Sequence, residues 1–187
     1  MQRSQDTRTT METMDNDIKS ASVQLDATGK SLDELMRSGQ TDVKSAFDSY
    51  KKNVEKMVSM ENKFAKHADQ MKEKGSDYFK EWEKEGSEYK NPEIQRLSNE
   101  RRAALGEIYD KIAENSIGVN EAFKAYVSDV KEIQTFLSND LTIKGITAIG
   151  PTSEKVVSDG DSLKYAIQKL QIAIQNARTE MAQSGTN

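Results

Sequence analysis

The chain has no cysteine, only two prolines and one histidine among its 187 residues, and no apolar run that approaches a membrane span. Each shortage excludes something. Without cysteine there is no disulfide scaffold and no thiolate chemistry, although the compartment stays open, because exported and cytosolic chains alike can lack cysteine. Crossing a bilayer as a helix takes roughly 20 consecutive apolar residues, which a chain with a mean hydropathy of −0.81 does not supply. A charge excess of one sign is missing too. The 27 basic and 31 acidic side chains leave a net charge of −4, so nothing supplies the electropositive field that nucleic-acid binding requires, and no nucleic-acid partner is expected. The first ten residues, MQRSQDTRTT, lack the run of about 7–15 apolar residues of a signal peptide. On that ground the protein is either cytoplasmic or has had a targeting segment removed.

What is present is apolar spacing of the helical kind. From Met11, the positions Met14, Ile18, Ala21, Leu25, Thr28, Leu32 and Leu35 alternate in steps of three and four, with one polar occupant. This heptad seam predicts a helix over about 6–37. Ser38 and Gly39 would stop it, and Thr41 would cap the next helix. A second seam runs from Val43 through Phe47, Tyr50, Val54, Met57, Phe64, Met71, Tyr78 and Trp82 to Tyr89, with Glu61, Gly75 and Glu85 as poor occupants, and predicts a helix over 41–90. Asn91-Pro92 closes that helix and opens a third over 92–138, since asparagine caps well and proline suits the first helical position. Residues 139–151 read as a turn with at most a short helical piece. A fourth helix follows over 152–183, on a seam of Val156, Gly160, Leu163, Ile167, Leu170, Ile174, Ala177 and Met181. Residues 1–5 and 184–187 are expected to be disordered.

Short connections make consecutive helices antiparallel neighbours. Folding helices two and three back at Asn91-Pro92 opposes residues whose numbers add to about 183, which sets Phe47 near Leu137, Tyr50 near Ile133, Met57 near Tyr126, Phe64 near Val119 and Tyr78 near Leu105. Seam falls on seam along the pair. The shorter first and fourth helices must lie at its base. The expected fold is all-α: an elongated antiparallel bundle in one domain over 1–187, with a four-helix base and a two-helix coiled-coil hairpin, about 74–110, projecting by roughly 30 Å.

Little in this frame suggests catalysis. His67 has no Glu-x-x-His partner of the di-iron kind and reads as a flanking or surface residue. The SDGDS segment around Asp159 and Asp161 lacks the remaining ligands of a calcium loop. GITAIGP has no Gly-Lys-Ser/Thr and is no phosphate cradle. Carboxylates alternate with lysines as on a solvated coiled-coil face. No catalytic residue, cofactor site or metal site is assigned, and the chain is expected not to be an enzyme. YFKEWEKEGSEY stands out because four of the twelve aromatics, Tyr78, Phe79, Trp82 and Tyr89, fall within it. Packing accounts for the three on the seam, with Arg101 and Arg102 approaching Trp82 for a cation–π contact. Phe79, off the seam, and the edge of Trp82 could instead anchor a partner, since aromatics and arginine are the usual hot-spot residues. The candidate partner-binding set is therefore Phe79, Trp82, Tyr89, Arg101 and Arg102.

YFKEWEKEGSEYKNPEIQRLSNERRAALGEIYDKI and AFKAYVSDVKEIQTFLSNDLTIKGITAI resemble the uncharacterised bacterial envelope family named for domain of unknown function 2959, from about residue 45 onward. The aromatic stretch, the Arg101-Arg102 segment and the SNDLT-x-x-GI turn carry the likeness. Members look like exported proteins or lipoproteins with a helical body. The resemblance therefore implies a periplasmic or outer-membrane-associated location, with tethering through a lipid anchor that this chain lacks; the alternative is cytoplasmic. It implies no activity, because the family has none assigned. The expected function is a scaffold or interaction protein of the envelope that works through coiled-coil contacts with a protein partner or with itself. Two alternatives remain: a four-helix ligand-binding or sensory module, favoured by Glu61 and Asn115 at seam positions, and a peripheral membrane protein, which would need a basic face that the mixed charges do not provide.

Overall fold

The computed structural model describes residues 2–37 and 41–182, and among them helices account for nearly everything, with no strand. The elements are α1 (Gln2–Met36), α2 (Val43–Gly86), α3 (Pro92–Asn139), the short α4 (Ile143–Ala148) and α5 (Gly150–Ala182). The four long helices run up, down, up and down. α1 packs on α2, α2 on α3, α3 on α5, and α5 returns to α1, the last being the loosest of the four sides. No described helix is long and apolar enough to cross a membrane.

The seams read from the sequence form one continuous core. Met14, Ile18 and Leu35 of α1, Tyr50, Met57 and Met71 of α2, Ile112, Val119 and Ile133 of α3, and Leu163 and Leu170 of α5 are buried completely. The antiparallel register of α2 and α3 is the expected one. Tyr50 donates its hydroxyl to the Val130 carbonyl at 2.6 Å, the Phe64 and Phe123 rings stack with centroids 6.3 Å apart, and the Trp82 indole N–H donates to Ser98 at 2.9 Å.

Several helix ends depart from expectation. Asp42, not Thr41, caps α2, its carboxylate accepting from the Ser45 N–H at 3.0 Å. The expected stop at Ser38-Gly39 lies outside the described residues, as do residues 183–187. α2 closes at Gly86 and not at residue 90, because the Ser87 and Glu88 N–H groups already turn back onto the Glu83 and Glu85 carbonyls. Asn91 does open α3, accepting from Glu93 and Ile94 with Pro92 next to it. The turn over 139–151 contains α4, capped by Thr142, and α5 starts at Gly150.

The projection is much shorter than 74–110. α1 is helical from Gln2, so residues 2–5 are ordered, and Arg3 pairs with Glu81 at 3.3 Å and Glu85 at 3.6 Å. At the other end of the chain Glu180 of α5 reaches Arg101. Four helices therefore run together almost to the end of the rod, and only residues near 86–100 stand clear, by roughly 10–15 Å at 1.5 Å per residue. The reason is visible at Thr7. It is a seam position, 1% exposed, whose polarity is satisfied inside its own helix by donation to the Arg3 carbonyl at 3.0 Å. A polar side chain with an internal acceptor extends the seam by two turns that apolar spacing cannot reveal.

Candidate functional site at the hairpin tip

The end of the bundle is closed by a run of aromatic contacts. Tyr78 meets Phe79 and Trp82 with ring centroids 5.1 and 5.7 Å apart, and Phe79 meets the edge of Tyr109 at 5.5 Å. Tyr109 crosses from α3 to α2 and donates its hydroxyl to the Met71 carbonyl. It can do so only because Gly75 is a glycine; a Cβ there would fall on the Tyr109 ring. The seam glycine that looked like a poor occupant is the socket for a tyrosine. Burial pushes the Tyr109 phenol up. It pushes Tyr78 up as well, against the nearby charges of Arg101 and Arg8.

Phe79 belongs to this packing and not to a free surface. It is half-buried against the core and shares a small apolar void with Met11, Leu105, Ile108 and Met181. Trp82 is half-buried too, its indole N–H taken by Ser98. The arginines do not approach Trp82 as expected. Arg101 turns to α5, donating to the Glu180 carboxylate and, at 3.4 Å, to the Glu180 carbonyl. Arg102 turns the other way, to Glu83 at 3.7 Å. The cation–π contacts among the described residues lie elsewhere, Lys51 over Phe47 and Lys169 over Tyr165. The register placed both arginines at the right height, but consecutive residues on a helix point about 100° apart, so the pair splits between two neighbours.

Tyr89 is different. It sits in the turn after α2 and is 46% exposed, and it is joined by Ile94 at 47% and Leu97 at 51% on the first turns of α3. These last two were missed by the seam reading. The apolar seam of α3 starts at Leu105, and four-three steps back from it reach Arg101, Ser98 and Ile94, so Ile94 lies on the seam's polar extension and Leu97 beside it. Their signal is an i, i+3 apolar pair where the seam itself is polar. Around them Arg96 bonds Glu93 and Glu100, each at 2.5 Å, which holds the Glu93 carboxyl below its usual range. Between this tip and the start of α1 lies an open, mostly polar recess of about 590 Å³ bordered by Arg3, Asp6, Tyr78, Trp82, Glu85 and Tyr89.

The remaining sequence candidates resolve without a site. His67 is half-buried and pairs with Asp17 across the α1–α2 side. Asp159 of the SDGDS segment lies beside Asp129, and Lys155 donates to Asp129 at 2.8 Å and to Asp159 at 3.2 Å. The bond with Asp129, then burial, push Asp159 up, while the same bond holds Asp129 down. No group of three or more metal-ligating side chains is found among the described residues. Glu61 and Asn115 are only half-buried; the polar seam residue of α3 is Ser116, which bonds the Ile112 carbonyl at 2.6 Å. The buried charge that spacing did not show is Asp15, 4% exposed, held by Lys19 at 2.7 Å and by Arg178 of α5 at 3.2 Å.

No curated protein and no solved structure matches the chain. A family model does, over residues 2–183, and its description is "Protein of unknown function (DUF2959)". The match covers nearly the whole bundle, including α1, well beyond the segment from residue 45 that first carried the likeness. The chain belongs to this family.

Proposed function

We propose that the protein is a non-enzymatic interaction module of the bacterial cell envelope that engages a protein partner through the tip of the α2–α3 hairpin. The observation that carries the reading is the exposure of Tyr89, Ile94 and Leu97 together, at the one end of the rod where α1 and α5 no longer cover α2 and α3. An aromatic and two aliphatic side chains on a short exposed stretch that also carries the exposed Glu88, Lys90, Glu93, Arg96 and Glu100 supply the two ingredients of a small contact, apolar groups for its centre and charges for its rim. The envelope address comes from the family resemblance. Within the candidate set the contact residue is Tyr89, while Phe79, Trp82, Arg101 and Arg102 act as the fastening beneath it.

The test replaces Tyr89, Ile94 and Leu97 together by serine. All three are exposed, so the melting temperature is expected to stay within about 2 °C of the parent. Proteins that co-purify specifically with the parent after crosslinking in cells are expected to be lost. Their full retention on the triple variant contradicts the proposal.

A further inference from the structure

The loose α1–α5 side opens into a cleft of about 280 Å³ in the base of the bundle, lined on one wall by Leu25, Gly29 and Leu32 and on the other by Val156, Val157 and Gly160. Glycine makes the room. A Cβ at Gly29 would meet nothing within 4 Å, and one at Gly160 would stand 3.3 Å from the Tyr126 ring. Tyr126 reaches across from α3 to form part of the lining.

Tyr126 is 2% exposed, yet its hydroxyl has no hydrogen-bond partner among the described residues, unlike Tyr50 and Tyr109, which donate to backbone carbonyls. Every fully buried side-chain oxygen and nitrogen described here is hydrogen-bonded. The Tyr126 oxygen therefore keeps its access through the cleft. Burial, and then the charges of Asp26 and Asp33, push this phenol up, which keeps it protonated, and both aspartates line the same cleft.

The charges at the rim are unequal. Asp26, Asp33 and Asp161 face Lys30 and Lys164. Lys164 is committed to Asp26 at 2.5 Å, and no ion pair ties Asp33, Asp161 or Lys30 among the described residues. An incoming cation meets two free carboxylates against one free ammonium. An ammonium group has three donors and no acceptor, so it needs acceptors, and the cleft offers the phenol oxygen and carboxylates above an aliphatic wall. We propose that the α1–α5 cleft over Tyr126 binds a small aliphatic amine, its ammonium held by Asp33, Asp161 and the Tyr126 oxygen and its alkyl chain laid against Leu25, Leu32 and Val156. The volume lies just under the range of about 300–1,000 Å³ usual for drug-sized ligands, which favours a short chain.

Cadaverine, neutral 1,5-pentanediol and dianionic glutarate are the probes, titrated into the ¹⁵N-labelled full chain at low salt. Cadaverine is expected to give saturable amide shifts confined to residues 25–33 and 156–164, weakening as salt is raised. Tyr126→Phe is expected to weaken it several-fold, and the exposed double variant Asp33→Asn/Asp161→Asn by about tenfold. The double variant keeps the test decisive if removing the phenol disturbs folding. No saturation by 20 mM cadaverine overturns the proposal. So does equal binding of pentanediol, which would make the cleft merely apolar, or tighter binding of glutarate, which would reverse its polarity.

Discussion

Two tyrosines of α3, Tyr109 and Tyr126, each lie against a glycine of a neighbouring helix, and the two places behave differently. Tyr109 fits over Gly75 of α2 and donates to the Met71 carbonyl, so its polar atom is satisfied, although an open groove of about 510 Å³ runs beside it between α2 and α3. Tyr126 lies over Gly160 of α5 with its hydroxyl unpartnered and an open cleft beside it. The same local device serves as a lock in one place and as the floor of a recess in the other. The difference lies in what the phenol oxygen finds: a carbonyl of the adjacent helix, or the gap where α1 and α5 separate. A bundle of this kind is stiffened where its tyrosines are satisfied and left receptive where one is not.

Adding one methyl group to each glycine gives the largest expected contrast. At Gly75 the new Cβ falls on the Tyr109 ring and must push it off the Met71 carbonyl, and Gly75→Ala is expected to cost about 3 kcal/mol in urea unfolding. At Gly160 the ring stands 3.3 Å from the new atom and borders open space. There the cost is offset by alanine's helix preference, and the net change stays within about 1 kcal/mol of zero. Equal effects at the two positions would break the comparison.

Removing the hydroxyls comes next in size. Tyr109→Phe loses a buried hydrogen bond, an expected loss of about 1 kcal/mol. Tyr126→Phe gives up no partner, so thermal and urea unfolding are expected to move by less than about 0.5 kcal/mol. Gly29→Ala acts in the opposite direction. With nothing within 4 Å of its Cβ, the substitution is expected to stabilise α1 by about 0.5–1 kcal/mol, read as a raised urea midpoint with an unchanged slope.

The helices and the α2–α3 register were legible because heptad spacing and a short connection determine them directly. Tyr50 against Val130 and Trp82 against Ser98 lie where the fold-back at Asn91-Pro92 requires. Less legible was whatever depended on a polar atom finding an internal partner. Thr7 carries the α1 seam toward the tip, and its hydroxyl gives no apolar signal. Asp15 is buried only because Lys19 and Arg178 meet it there. Gly75 and Gly160 look like defects in a seam until the opposing tyrosines are known, and spacing along one helix does not say what the next one presents. At the tip, register set the height of Arg101 and Arg102 but not their azimuth, which sends them to Glu180 and Glu83. Ile94 and Leu97 escaped notice because exposure, and not periodicity, is what distinguishes them.

The central claim is that this protein works through contacts at its hairpin tip. A photo-crosslinking residue at position 97, in place of Leu97, tests it most directly when compared in living cells with the same residue at position 165, in place of the more exposed Tyr165 on the side of α5. The account predicts a discrete protein adduct from position 97 and none from position 165. No adduct at 97, or the same adduct from both positions, would contradict it.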